Sequence, residues 1–194
     1  MNAVFIKSAT RVAELPENHK PQIAFVGRSN VGKSSLLNHL MNQKGLARVS
    51  ATPGRTQLIN VFEVDKKYTL IDLPGYGYAK ASGAKRRGFS ELIHEYLFQA
   101  TNLCLVFLII DARVGPTDLD RDMLTNLESA QIPFQIIVNK VDKLSRSEQS
   151  VLQRTLTTDY PSVSFIYHSS VTGDGKTELL HILSKQTLPI SQLS

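Results

Sequence analysis

Eight consecutive residues constrain this chain more than any other feature: Gly27, Arg28, Ser29, Asn30, Val31, Gly32, Lys33 and Ser34 spell Gly-x-x-x-x-Gly-Lys-Ser. Ile23-Ala24-Phe25-Val26 before them has the apolar, partly β-branched character of a buried strand, and Ser35-Leu36-Leu37-Asn38 after them opens a helix. A strand that feeds a helix through a glycine-bearing turn is a phosphate cradle. The glycines let backbone N–H groups close round an anion at the helix N-terminus, Lys33 supplies charge for the β- and γ-oxygens, and the Ser34 hydroxyl reaches Mg²⁺. Ordinary residue frequencies produce this pattern by accident about once per hundred chains of this length, and the strand-helix context makes accident rarer still. A later Gly173-Asp174-Gly175-Lys176-Thr177 is no second cradle, because the position needing glycine is Ser170; it starts the last helix instead.

Around this turn, apolar runs of strand length lie at 22–26, 58–64, 68–71, 103–110, 134–138 and 163–167. Helical spacing of apolar residues falls at 34–41, 86–100, 118–130, 147–159 and 176–185. The alternation predicts a three-layer α/β fold with a mostly parallel sheet and helices on both faces, which with the phosphate turn makes a P-loop NTPase fold. One departure is forced: only Asp65, Lys66 and Lys67 separate two strands, too few for a parallel crossover, so these two form an antiparallel hairpin at the sheet edge. Residues 3–8 are a candidate further edge strand.

At 194 residues the chain is expected to be one domain, 1–194, with 1–20 a short N-terminal extension. The longest apolar run, 103–110, is far below bilayer length, and residues 1–10 show no secretion signal, so a cytoplasmic protein without a membrane partner is expected. A lone cysteine, Cys104, inside that run is read as core packing. The formal charge of +5 favours a polyanionic partner, RNA before membrane. The five histidines show no metal spacing.

Two further segments narrow the nucleotide. Asn139-Lys140-Val141-Asp142 ends a buried strand, where open α/β sheets bind ligands. An ionised Asp142 only accepts hydrogen bonds, and guanine offers N1–H and a 2-amino group where adenine offers neither. Asn139 is expected to tie this loop to the P-loop, and the Lys140 stem to cover the base; His168, Ser169 and Ser170 are expected to line the guanine side with backbone N–H groups. Asp72-Leu73-Pro74-Gly75 also ends a strand, placing a carboxylate for a magnesium water and a glycine N–H for the γ-phosphate. Thr52-Pro53-Gly54-Arg55-Thr56-Gln57 offers a threonine as a second magnesium ligand, with Thr52 and Thr56 both available, the other reading of Pro53-Gly54 being an ordinary turn.

Taken together, GRSNVGKSSLLN, TPGRTQ, DLPGYGYA and NKVDK resemble the EngB family, also called YihA or YsxC, in the TrmE-Era-EngA-YihA-septin group of bacterial GTPases. The match spans nearly the whole chain. It implies a monomeric GTPase that binds GTP, GDP and Mg²⁺, is needed for assembly of the 50S ribosomal subunit, and is linked to septation and cell division. By position it puts residues 27–34 on the phosphates and Ser34 and Thr56 on magnesium. Gly54, Arg55, Thr56, Gln57 and Leu58 become the first switch, Asp72 to Gly75 the second, and Asn139 to Asp142 with His168 to Ser170 the base site. Many members carry threonine where this chain has Asn139, and either side chain serves as tether.

The residue after DLPG, a water-orienting glutamine in Ras-like proteins, is Tyr76, so intrinsic hydrolysis is expected to be slow, roughly 10⁻⁴ to 10⁻² per second. Lys33, Gly75, Thr56 and Asn30 are the catalytic candidates. In related GTPases an asparagine at the Asn30 position holds K⁺, which makes potassium stimulation one reading and simple tolerance of a small polar residue the other. Lys80, Lys85, Arg86 and Arg87 are read as ribosomal RNA contacts or as a solvated face, and Tyr76 and Tyr78 as base-stacking or loop-packing residues. The competing functions are an ATP-dependent kinase, which Asp142 opposes, and a nucleotide-dependent scaffold at the division site.

Overall fold

The structure is a computed structural model that describes residues 2–17, 19–47, 58–77 and 91–185. The described strands are β1 (Ala3–Ala9), β2 (Gln22–Gly27), β3 (Ile59–Val64), β4 (Tyr68–Asp72), β5 (Leu103–Asp111), β6 (Phe134–Asn139) and β7 (Phe165–His168). They form one seven-stranded sheet in the order β1-β3-β4-β2-β5-β6-β7. From β4 to β7 every pairing is parallel, while β1 with β3 and β3 with β4 are antiparallel. The short hairpin is therefore present, and residues of the N-terminal segment add the strand outside it. Its turn uses Asp65 and Lys66 at φ of 49° and 59°, the primed-turn geometry that matches strand twist. Lys67 N–H closes it on Val64 O at 2.9 Å, and Asn2 brackets Asp65 with two hydrogen bonds.

The helices are α1 (Lys33–Leu40), α2 (Glu91–Gln99), α3 (Asp118–Ser129), α4 (Arg146–Asp159) and α5 (Lys176–Lys185). The period-2 alternation of β2 and β5 splits their apolar side chains between two cores. Ile23, Phe25, Phe107 and Ile109 pack with Leu36, Leu37 and Leu40 of α1 and Leu179 and Leu183 of α5. Ala24, Val26, Val106, Leu108 and Ile110 pack with α2, α3 and α4 through Tyr96, Met123, Leu127 and Leu156. Each leucine that α1 buries is worth about 1.5–3 kcal/mol, which anchors the helix that carries Lys33 and Ser34. Cys104 lies in the first of these cores, its thiol pushed up to about 11 by burial and donating to Gln22 O at 3.2 Å.

Because β3 and β4 lie on one side of β2 and β5 to β7 on the other, the chain reverses direction across the sheet at β2. A crevice at the carboxyl ends of the strands follows from that reversal. The buried polar side chains Asp72, Asp111, Asn139 and His168 all stand at that edge. Register pairs Phe25 with Asp72, Asp111 with Asn139, and Asn139 with His168.

Candidate functional site

Beyond β2 the chain turns through Asn30 at φ 66° and Gly32 at φ 98°, then enters α1 at Lys33. Gly32 admits no side chain: a Cβ there would stand 2.5 Å from the Asn139 amide nitrogen and 3.2 Å from Lys140 Cε. Two loops distant in sequence are thus pressed together. Asn139 Nδ2 donates to Val31 O at 2.9 Å, and Lys140 Nζ donates to Asn30 O at 2.6 Å. Lys140 also reaches Asp111 Oδ2 at 2.8 Å, and Arg113 closes on the same carboxylate at 2.6 Å. These cationic donors outweigh burial and hold the Asp111 carboxyl well below the usual carboxylate range.

Asp142 lies in a short 3₁₀ turn, Val141–Lys143, entered through Lys140 at φ 67°. Its Oδ1 accepts from Ser169 Oγ at 2.7 Å, and Lys143 pairs with Oδ2 at 3.1 Å. The Ser169 hydroxyl first, then Lys143, lowers its pKa, so this carboxylate is ionised and purely an acceptor at neutral pH. Ser169 Oγ in turn accepts from Val171 N–H and Thr172 N–H, while its own backbone N–H donates to Asp174 O at 3.2 Å. What Ser169 offers the crevice is therefore its side chain on Asp142. His168 likewise turns inward, onto Asn139 and His39. Ser170 follows, half-buried.

On the other side of β2, Lys33 Nζ forms an ion pair with Asp72 Oδ1, and Asn60 Nδ2 donates to Asp72 Oδ2 at 3.0 Å. Leu73, Pro74 and Gly75 carry the chain from Asp72 across the P-loop. Ser29 Oγ donates to Gly75 O at 3.3 Å and Ser29 N–H to Tyr76 O at 2.8 Å, while Tyr76 N–H donates to Gly27 O at 3.2 Å. Arg28 and Tyr76 make an isolated parallel bridge. The second candidate switch is thus zipped directly onto the phosphate turn. Tyr76 is only 2% exposed and its hydroxyl donates to Asp120 Oδ1 at 2.5 Å, so in this arrangement it packs against α3 and presents no face to an RNA base. Tyr78, the basic residues 80–87 and residues 54–57 lie outside the described residues; Leu58, half-buried, enters β3.

Ser34, half-buried in the first turn of α1, adjoins the Lys33–Asp72 pair. Hydroxyl, carboxylate and phosphate oxygens form a hard donor set, which fits Mg²⁺. Among the described residues no group of three or more His, Cys, Asp or Glu is placed to cage a metal by itself. No described helix is long and apolar enough to cross a membrane.

A family model described as 50S ribosome-binding GTPase matches residues 22–140. A probable GTP-binding protein EngB of Pelotomaculum thermopropionicum is 45% identical over 190 residues, spanning 95% of this chain and 94% of its own. The chain belongs to the EngB family of GTP-binding proteins. A solved structure of a probable EngB GTP-binding protein superposes with a TM-score of 0.66 at 26% identity, over 86% of this chain and 98% of that one. Era bound to MgGDPNP and a segment of 16S ribosomal RNA superposes with a TM-score of 0.65 at 25% identity, over 87% of this chain and 57% of Era. EngB membership brings a GTPase domain with guanine nucleotide as its ligand. Asp111, Asn60 and Asp120 have no motif in the sequence to mark them. The only signal for Asp111 is an acidic residue closing a long apolar strand.

Proposed function

We propose that this chain is a slow GTP-hydrolysing switch that acts in assembly of the 50S ribosomal subunit and through it in normal cell division. The observation that carries the nucleotide reading is the Asn139 bridge to Val31 O beside an Asp142 held ionised by Ser169. Together they support reading Asp142 as a guanine-selective acceptor held at a fixed distance from the phosphate turn. Gly27 to Ser34 wrap the phosphates with backbone N–H groups, and Lys33 exchanges its Asp72 partner for β- and γ-oxygens. Ser34 and Thr56 hold Mg²⁺, whose role is to neutralise the charge on the phosphates. Gly54 to Leu58 and Asp72 to Gly75 form the two nucleotide-sensitive segments, and the Gly75 N–H follows the γ-phosphate.

With the Tyr76 hydroxyl committed to Asp120, no side chain directly after Gly75 orients water, which supports a low intrinsic rate. Asn30 is the residue through which K⁺ would stimulate hydrolysis, and equal rates in potassium and sodium would remove it from that role. The ribosomal reading is supported by the 50S description of the matching family and by the RNA held by the Era neighbour. The charge of +5 suits such a partner, met by a monomer in the cytoplasm.

Calorimetric titration with GDP, a GTP analogue and ADP tests the first part. Guanine nucleotides bind, ADP does not, and Asp142→Ala abolishes the difference; equal GDP and ADP binding would overturn it. For the second part, the protein is sedimented with 50S subunits in GTP analogue or GDP over a salt series. Retention in the GTP state alone, reduced in an Arg86→Glu, Arg87→Glu variant, is expected. Indifference to nucleotide would favour the division-site scaffold.

A further inference from the structure

His168 is fully buried at the end of β7, and its imidazole is hydrogen-bonded at both nitrogens. Nδ1 lies 2.8 Å from Asn139 Oδ1, and Nε2 lies 3.1 Å from Nδ1 of His39 on α1. The direction of each bond is fixed from one end. Val31 O is a carbonyl and only accepts, so the Asn139 amide must turn its nitrogen toward Val31 and its oxygen toward His168. Facing an acceptor, His168 Nδ1 must carry the proton. In a neutral ring Nε2 is then the acceptor, and His39 Nδ1 must donate to it. The result is a directed relay, His39 to His168 to Asn139 to Val31 O, running from the helix behind the P-loop, through the base motif, to the P-loop itself. Its neutrality agrees with the surroundings, since burial and the neighbouring His39 push the His168 imidazole down to about 4.

The end of the relay matters because a trans peptide points its C=O and the following N–H in opposite directions. Holding Val31 O on Asn139 aims the Gly32 N–H away from Asn139, the orientation that phosphate capture asks of a P-loop amide. Asn139 has little freedom to err, because its amide nitrogen is pressed to within 2.5 Å of where a Cβ on Gly32 would stand. An amide turned the other way would set its oxygen against Val31 O.

We propose that His168 is a positioning residue for guanine nucleotide binding: as a neutral Nδ1–H imidazole it fixes the orientation of the Asn139 amide, and through it the P-loop peptide at Val31 and Gly32. This rests on the nucleotide reading of the site and adds to it a side chain that touches no nucleotide. A histidine that merely fills the core would contribute to folding without regard to Asn139.

The test has two arms. Long-range ¹H–¹⁵N correlation spectra of the intact protein at neutral pH report the tautomer directly, with Nδ1 of His168 protonated and Nε2 bare. An Nε2–H tautomer would overturn the proposal whatever the nucleotide does. In the second arm, GDP titrations compare variants that place an N–H differently. His168→Asn puts an amide nitrogen near the Nδ1 position, and affinity stays within about threefold of the wild type; His168→Gln and His168→Phe do not, and each weakens GDP about fivefold to tenfold, the loss of one oriented buried hydrogen bond. In an Asn139→Ala background, His168→Phe adds less than about twofold, because the two residues act in series. Equal losses with and without Asn139, or Asn and Gln variants that behave alike, would show a packing role only. Asp142→Ala in the same titration separates the two readings, since indifference to it would count against the nucleotide assignment and leave the tautomer result standing.

Discussion

Lys140 shows how much one side chain can hold in place. Its ammonium joins the P-loop carbonyl of Asn30 to the Asp111 carboxylate, from a backbone position at φ 67° that few non-glycine residues adopt. Lys140→Met keeps the stem and deletes both bonds, leaving Asn30 O without this donor and Asp111 with Arg113, whose side chain is 52% exposed. GDP affinity measured by titration is expected to fall about threefold to tenfold, the effect of losing charge-assisted bonds in a partly screened site. Asn139, Lys140 and Asp142 were legible in the sequence because four adjacent residues spell the motif. Asp111, Asn60 and the His168 side chain were not, because each reaches the site through strand register, which no local pattern encodes. His168 also sets a pH dependence. Its ordinary value is 6.5 and its folded value about 4, lowered by burial and by His39 and Lys176, and raised in part by Asp174 and Asp142. Between those values the unfolded chain binds a proton that the native state does not, so stability is present above pH 6.5 and drains as pH falls toward 4. Calorimetric unfolding in that window should show a decline on the order of 10 °C, with a shallower slope in His168→Asn.

At the scale of elements, α3 carries a coupling that its periodicity does not announce. Asp120, in its first turn, accepts from Thr117 N–H at 2.9 Å and from the Thr117 hydroxyl at 2.7 Å through Oδ2, while Oδ1 accepts from Tyr76. One buried carboxylate thereby closes the helix start and clamps the segment that follows Gly75. Asp120→Ala removes the cap and the carboxylate that accepts from the Tyr76 hydroxyl, and is expected to cost about 1–3 kcal/mol in urea unfolding. Tyr76→Phe, which leaves the Thr117 bonds intact, should cost about 1 kcal/mol. Its GTP turnover should stay near wild type, since that hydroxyl bonds Asp120; a large fall in turnover would make Tyr76 a water-orienting group after all. The sequence placed the helices to within a few residues wherever leucines recur at helical spacing, as in α1 and α5. It was weakest at β1, where Val4, Phe5 and Ile6 are consecutive apolar residues and all are about half exposed. With no alternation among these three to separate an inner from an outer face, long-range contacts decide its place, among them pairing with β3 and the Phe5–Phe62 ring contact.

Across the whole molecule, β2 has the determining position. Its central place follows from the reversal of chain direction at the P-loop, and alternating strands and helices imply a parallel sheet without saying which strand lies in the middle. The reversal brings Gly27, Asp72, Asp111, Asn139 and His168, spread through most of the sequence, to one edge of one sheet. Nucleotide bound there touches loops from both sides of β2, so it must stabilise the fold as a unit and not merely the P-loop. A ligand at about 100 times its dissociation constant adds about 2.7 kcal/mol to unfolding when it binds only the native state. For a chain of 194 residues that raises the unfolding temperature by roughly 5–10 °C. GDP with Mg²⁺ is expected to produce this shift in a calorimetric scan, and ADP at the same concentration none. Asp142→Ala should remove most of the GDP shift while lowering the ligand-free unfolding temperature by only about 2–6 °C, the loss of its Ser169 and Lys143 contacts. A GDP shift that survives Asp142→Ala and is matched by ADP would mean that the phosphates alone supply the binding energy, and the base loop would then have no part in selecting the nucleotide.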